Sequence, residues 1–307
     1  MVVVIVTILI VLFIIYLMVG YNFFSMSCKR ADKRMINIIN NNAKSSRTKE
    51  DENYCKEYLK NYKQEDIYIN SFDNTKLHGT FIKAKNEKRV VICAHGYRAS
   101  AMLDFCYTIP FLLENNSSLL LIDERACFKS GGDYITFGAL EKKDLAYWIK
   151  YINKKSNSNI YLYGVSLGGA TVLMTLGENI PNINGVIDDC GYESVYKLFK
   201  DLCKRWFHAP FKPLMIIVNF YAKLFGHFNL YDANTECLKN NNIPILFIHG
   251  KNDDFVSAEN TKENYNKTKG DKEILWIPNA KHAESAKKDK EKYQKYLISF
   301  FNKHDKR

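Results

Sequence analysis

The chain predicts an α/β fold: a mainly parallel, doubly wound sheet with a helical insertion, preceded by one membrane-spanning helix. Three observations carry this. Short, nearly continuous apolar runs recur along most of the sequence with helical periods between them, as expected for strands buried on both faces. One long aromatic stretch interrupts the alternation. The first twenty residues are almost entirely apolar.

That apolar block comes first in the chain. Val2 to Gly20 holds no charge, and only Thr7 and Tyr16 are partly polar. As a helix it spans roughly 28 Å, about the hydrocarbon thickness of a bilayer. No Lys or Arg precedes the run and no small-x-small cleavage pattern follows it, which favours an uncleaved anchor over a signal peptide. Ser25, Met26 and Ser27 before Cys28 also lack the Leu of a lipoprotein cleavage site. Lys29, Arg30, Lys33 and Arg34 follow the span with Asp32 alone opposing, so the charge rule places the large C-terminal part on the cytoplasmic side. The eight widely spaced cysteines, with no CxxC pair, agree with a reducing compartment.

Residues 21–63 read as a juxtamembrane linker, polar and Asn-rich, with a short helix over Glu52 to Lys63. Residues 64–307 form the remaining domain. Strands are expected at Asp66–Asn70 and Lys76–Lys83, with Asp73-Asn74 turning between them. Arg89–Ala94, Ser118–Ile122, Asn159–Tyr163, Val186–Ile187, Pro244–Ile248 and Ile274–Ile277 supply the buried strands. Ala139–Lys154 carries Leu140, Leu145, Trp148, Ile149 and Ile152 on one side of a helix, and Ala283–Asn302 ends the chain as another. Residues 192–242 form the insertion, with helix-like aromatic segments at Tyr192–Phe207 and Pro213–Phe225, and read as a lid over one end of the sheet.

Composition narrows the function. With 307 residues, 47% hydrophobic and 25% charged, the chain is neither disordered, collagen-like nor a disulfide miniprotein. The +11 net charge lacks a basic block dense enough for a nucleic-acid arm, so no nucleic-acid partner is expected. No metal-ligand cluster, dinucleotide fingerprint or phosphate loop appears, and no cofactor is expected.

The decapeptide Tyr161-Leu162-Tyr163-Gly164-Val165-Ser166-Leu167-Gly168-Gly169-Ala170 runs an apolar strand into Gly-x-Ser-x-Gly and then into a helical start. Such a turn holds its serine in a strained conformation in which side chains at Gly164 or Gly168 would clash. It lifts Ser166 above a helix N-terminus, where the Leu167 N–H points at a developing oxyanion. A serine needs a base, and the base needs an orienting group. His282 lies just past the last strand and Asp253 just past the one before it. The order Ser166, Asp253, His282 is neither that of chymotrypsin nor that of subtilisin. Asp254 competes for the acid role. His249, at a strand end, suits a structural role; His78, His208, His227 and His304 suit surface, lid or packing positions. The second oxyanion donor is expected after Val90–Ala94, in His95-Gly96-Tyr97, where Gly96 permits close approach and the Tyr97 N–H can donate.

On His95-Gly96, Asp123-Glu124-Arg125, Gly164–Gly169, His249-Gly250 with Asp253 and Val256, and His282, the chain resembles the α/β-hydrolase superfamily of serine hydrolases over about Asp66 to Asn302. Within it the chain is similar to the bacterial membrane-anchored esterase and peptidase-like branch. The resemblance implies Ser166 as nucleophile, Asp253 as acid, His282 as base, and Tyr97 and Leu167 as oxyanion donors. One departure is visible. The family often has Asp-x-Arg-x-x-Gly-x-Ser here, but Phe128 occupies the glycine position, so that loop is expected to differ in conformation.

The resulting expectation is a membrane-anchored serine hydrolase that cleaves a carboxylic ester or thioester of a small-molecule or lipid-like acyl substrate. The insertion is a candidate lid, and the apolar surplus of Phe207, Phe211, Leu214, Met215, Ile216, Ile217, Phe220, Tyr221 and Phe225 is expected to pack on the sheet, line an acyl pocket or contact the bilayer. A peptidase or acyl-peptide hydrolase is the rival within catalysis, and a catalytically inactive membrane-tethered binding module the rival outside it. A chain begun near Asn53 is expected to be soluble and active, because the candidate triad lies wholly downstream.

Overall fold

The computed structural model describes residues 1–31, 48–207 and 210–306. Helix α1 covers Val2–Cys28 and is, among the described residues, the one helix long and apolar enough to cross a membrane. It does not stop at Gly20. Phe24 and Cys28 are fully buried, so residues 21–28, expected as linker, form a continuation of the helix that packs on the domain. The rest of the expected linker falls largely on residues 32–47, and His208 likewise lies outside the described residues. Helix α2, Lys49–Leu59, starts earlier than its apolar residues suggest because Thr48 and Asp51 form a reciprocal capping box. Cys55 and Leu59 seat it in the core.

The strands and helices then alternate: β1 Gln64–Asn70, β2 Lys76–Ile82, β3 Arg89–Ala94, α3 Ala101–Asp104, α4 Ile109–Glu114, β4 Ser117–Ile122, α5 Glu141–Lys155, β5 Asn159–Val165, α6 Leu167–Thr175 and β6 Gly185–Asp189. The insertion supplies α7 Val195–Leu202, a π turn at Cys203–Phe207, and α8 Phe211–Gly226. After it come β7 Ile245–Gly250, α9 Glu259–Lys267, β8 Lys272–Ile277, α10 Ser285–Lys288 and α11 Lys290–His304. The final helix, expected unbroken, is divided at Asp289, whose side chain leaves the helical path to cap α11 by accepting from the Lys292 N–H at 3.2 Å.

All eight strands form one sheet in the order β1-β2-β4-β3-β5-β6-β7-β8. β2 runs antiparallel to β1 and β4, and every other pairing is parallel. Every residue of β3, β4 and β7 is buried, which explains their mostly apolar sequences. One face packs Tyr161, Tyr163 and Leu246 against Tyr293, Leu297 and Phe300 of α11. The other packs Ile92, Leu162 and Phe247 against Leu145, Trp148 and Ile149 of α5. A third apolar cluster joins Phe24 of α1 to Met215 and Val218 of α8 and to Leu167 and Tyr192. Because the parallel strands share a direction, the loops after β3, β5, β7 and β8 all open at one edge of the sheet, where ligands of such folds collect.

Candidate active site

Strand β5 delivers Ser166. The serine sits at φ 56° and ψ −113°, a region costly for any residue with a side chain. The strain is held from both sides: the Ser166 N–H donates to the Asp189 carbonyl at 2.8 Å, and the Ser166 carbonyl accepts from the Ala170 N–H at 2.9 Å. The flanking glycines are required by space. A Cβ at Gly164 would lie 2.1 Å from the Gly168 carbonyl oxygen, and one at Gly168 only 1.9 Å from that of Ala94.

Three residues expected to act together are brought together. The Ser166 hydroxyl donates to His282 Nε2 at 2.8 Å, and His282 Nδ1–H donates to Asp253 Oδ2 at 2.8 Å. Asp253 comes from the loop after β7 and His282 from the loop after β8, so two parallel neighbours present the candidate acid and base side by side. The carboxylate is fully sequestered. Its Oδ1 accepts the N–H groups of Phe255 and Val256, each at 2.9 Å. Burial on its own would raise the Asp253 pKa, but hydrogen bonds and charge from His249 and His282 hold it below the usual carboxylate range. It is Asp253, not Asp254, that meets the imidazole; Asp254 offers its backbone carbonyl to Arg205.

His249 is buried and braces Asp253. Its Nδ1 accepts from Thr261 Oγ1 at 2.6 Å, while Nε2–H is shared between the Val256 carbonyl at 3.0 Å and Asp253 Oδ2 at 3.2 Å. Burial opposes its protonation, yet the Asp253 partner outweighs that and raises its pKa. His78 takes the packing one of its expected surface, lid or packing roles, with charged partners that nothing local in the sequence names. It is buried between Asp123, at 2.7 Å, and Asp66, at 3.1 Å, and ties the antiparallel edge strands to the loop after β4.

β3 and β5 are direct neighbours, with Ala94 opposite Gly164, so the loop carrying Gly96 and Tyr97 lies over the serine. A Cβ on Gly96 would lie 3.4 Å from Ser166 Cβ. The loop is fixed by the Gly96 N–H donating to Asp104 Oδ2 at 2.6 Å. Buried His95 adds two further links: Nδ1–H to the Gly96 carbonyl at 2.8 Å, and Nε2 accepting from the Glu124 N–H at 3.1 Å. Leu167 is the first residue of α6, so its N–H has no intrahelical acceptor. Phe128 adopts φ 42°, the left-handed region usually reserved for glycine. The loop thus keeps a glycine-like backbone despite the larger residue, and the expected change of conformation is not needed. Arg30 holds it by donating to the carbonyls of Phe128, Ser130 and Gly132.

Beside Ser166 lies a cavity of about 320 Å³. Tyr192, Leu198, Phe199 and Leu202 of the insertion form one wall, and Tyr97, Phe137, Leu167 and Phe255 most of the rest. The remaining wall is Phe23, Met26 and Ser27 of α1, a contribution the sequence reading missed. Of the three uses open to the apolar residues of α8, lining the pocket is not the one seen. Met215, Ile217 and Val218 pack inward as core, while Ile216, Phe220 and Leu224 face outward. Of Phe207 only the backbone is described. Cys190, Asp253 and His282 bring potential metal donors within 4.8 Å of one another, but both ring nitrogens of His282 are already committed to Asp253 and Ser166, so triad and metal use would compete for the same atoms.

Comparison with known proteins identifies the architecture. An esterase of Pyrococcus furiosus, Pf2001, superposes with a TM-score of 0.65 at 24% identity, covering 80% of this chain and 92% of that one. The acylaminoacyl peptidase of Pyrococcus horikoshii gives 0.61 at 16% identity, covering 80% of this chain and 42% of its own. The fold is that of the α/β hydrolases. Among curated sequences, the chain is 26% identical over 230 residues to the uncharacterized protein YqkD of Bacillus subtilis, covering 74% of this chain and 75% of YqkD. It is also 26% identical over 246 residues to the uncharacterized protein YfhR of Escherichia coli, covering 77% and 80% respectively. A family model described as PhoPQ-activated pathogenicity-related protein matches residues 210–307. That segment contains the strand ends of the α/β-hydrolase fold from which Asp253 and His282 project.

Proposed function

We propose that the chain is a serine hydrolase that cleaves carboxylic esters or thioesters through an acyl-enzyme. The observation that carries this reading is the continuous hydrogen-bonded series Ser166–His282–Asp253, with both links at 2.8 Å. Ser166 Oγ attacks the carbonyl carbon while His282 Nε2 takes its proton. Asp253 keeps the proton of the neutral imidazole on Nδ1 and stabilises the imidazolium that forms. The backbone N–H groups of Tyr97 and Leu167 receive the oxyanion. His282 then protonates the departing alcohol, a water attacks the acyl-enzyme with His282 again as base, and the free acid leaves.

The cavity favours an ester over a peptide. Among the described residues its lining carries no ionised side chain, so it offers an apolar acyl group a complementary wall and a charged peptide terminus no clamp. The names of the similar structures, an esterase and an acylaminoacyl peptidase, accommodate either bond. In the same reading α1 anchors the protein in a membrane, with the domain on the cytoplasmic side.

The test is hydrolysis of p-nitrophenyl esters of graded chain length by the full-length protein. Activity that rises from acetate to medium chains supports the reading. Activity confined to acyl-peptide anilides would replace it with the peptidase.

A further inference from the structure

Helix α1 has 27 residues, about 40 Å at the α-helical rise, whereas a bilayer core takes about 20 residues. The surplus turns are the ones that pack on the domain, and they reach the cavity. Phe23, Met26 and Ser27 line it beside Ser166. The candidate substrate pocket therefore lies within one or two helical turns of where α1 would leave the hydrocarbon.

Helix α8 runs alongside in a parallel sense. The Tyr16 hydroxyl donates to the Pro213 carbonyl at 2.8 Å. Gly20 meets Ile217, where a Cβ would lie 2.4 Å from Ile217 Cγ1. The Phe24 ring stacks on Tyr221 at 6.3 Å. Contacts advance by the same step on both helices, so α8 begins at the level of Tyr16. Its outward side presents Ile216, Phe220 and Leu224, exposed by 62%, 51% and 51%, at the spacing of one helical stripe. Pro213 continues the stripe toward the same end, and Lys212 and Lys223 flank it. This stripe is continuous with the apolar surface of α1, and lysines bordering an apolar face suit a headgroup boundary.

We propose that the stripe of α8 rests in the bilayer interface beside α1 and that the cavity is filled from the membrane, its substrate being an acyl lipid resident in the bilayer. This rests on the serine-hydrolase reading for its chemistry: water is the only co-reactant, and the products are a free fatty acid and the residual alcohol. The acyl chain enters along Phe23 and Met26 without crossing water.

The test uses the full-length protein in vesicles of phosphatidylcholine and phosphatidylglycerol. Tryptophan emission added by Ile216→Trp, measured against the parent, is expected to be quenched when the vesicle lipids are brominated on their acyl chains. The double variant Ile216→Asp/Phe220→Asp, which touches neither the cavity nor the triad, is expected to hydrolyse dissolved p-nitrophenyl acetate like the parent and to lose about tenfold or more on a fluorogenic ester lipid held in the vesicles. Added emission that brominated lipid leaves unquenched overturns the bilayer contact. Equal lipid hydrolysis by variant and parent overturns the stripe's part in filling the cavity, and a parent that cleaves the acetate but not the lipid overturns the substrate class. A parent inert toward acetate would overturn the serine-hydrolase reading instead, with the quenching still deciding the membrane contact.

Discussion

The Tyr97 hydroxyl donates to the Ser27 carbonyl at 2.9 Å, joining the loop over Ser166 to the last turn of α1. Arg98 strengthens the joint by donating to the Met26 and Lys29 carbonyls at 2.8 and 2.9 Å, so helix-end carbonyls that would otherwise lack partners are satisfied by the site loop. Helix α1 is thereby part of the domain's construction.

Tyr97→Phe removes the hydroxyl and keeps the backbone N–H. The loss of one such bond costs about 1 kcal/mol, which lowers Tm by about 3 °C in a domain of this size. Turnover of an acetate ester should stay within about threefold, since the proposed oxyanion donor is main chain. A large fall in kcat with unchanged Tm would give the hydroxyl a direct role.

Asp253→Asn should lower kcat by about 10⁴, because the amide leaves His282 in the wrong tautomer. Asp254→Asn should change kcat by less than about threefold, since that carboxylate does not meet the imidazole. Steady-state rates of the two variants compare them directly, and a reversed ranking would move the acid role.

The pH profile follows from the depressed pKa of Asp253. Because the folded value lies below the unfolded one of about 3.9, the stabilisation this carboxylate supplies is fully present above about pH 4 and is lost as pH falls through the folded value. Between about pH 5 and pH 8 Asp253 should therefore stay ionised, and infrared difference spectra against Asp253→Asn should show no protonated carboxyl band in that window. Such a band appearing between about pH 8 and pH 5 would mean that Asp253 titrates there.

Gly168→Ala would place a methyl group 1.9 Å from the Ala94 carbonyl oxygen, and both partners are backbone. Such overpacking should cost at least about 3 kcal/mol, seen as a lowered denaturation midpoint together with loss of activity. A stable, active Gly168→Ala would show that the turn is looser than its geometry implies.

A chain beginning at Asn53 contains every candidate catalytic residue, yet it cuts α2 after its capping box and removes the α1 wall of the cavity. It also exposes the partners of Phe24 and Cys28, both fully buried. Thermal unfolding should show a lower Tm, and hydrolysis should fall more for medium-chain esters than for acetate. Full-length stability and an unchanged chain-length profile would make α1 a plain tether.

How far the sequence could be read depended on the range of the interactions. The strands around β3, β5 and β7 were legible because burial on both faces leaves them uniformly apolar, and Gly164 and Gly168 were legible because steric exclusion acts within the same turn. Loop position after β7 and β8 pointed to His282 and to Asp253 with Asp254 as its competitor, and only the hydrogen bond to the imidazole separates the two carboxylates. His78 was not legible, since Asp66 and Asp123 reach it only through strand pairing. The apolar richness of α8 announced burial without naming the partner, and a lid over the pocket was as consistent with it as packing on α1. The continuation of α1 did leave a signal: Gly20, Phe24 and Cys28 recur every four residues, a buried stripe running past the point where composition turns polar.

The central claim, that Ser166 is the nucleophile of a serine hydrolase, is tested most directly by intact-mass measurement after exposure to a fluorophosphonate. The account predicts one covalent adduct on the full-length protein, mapped to Ser166, and none on a Ser166→Ala protein of equal Tm. An equally labelled Ser166→Ala protein, or a folded parent that takes up no label, would contradict it.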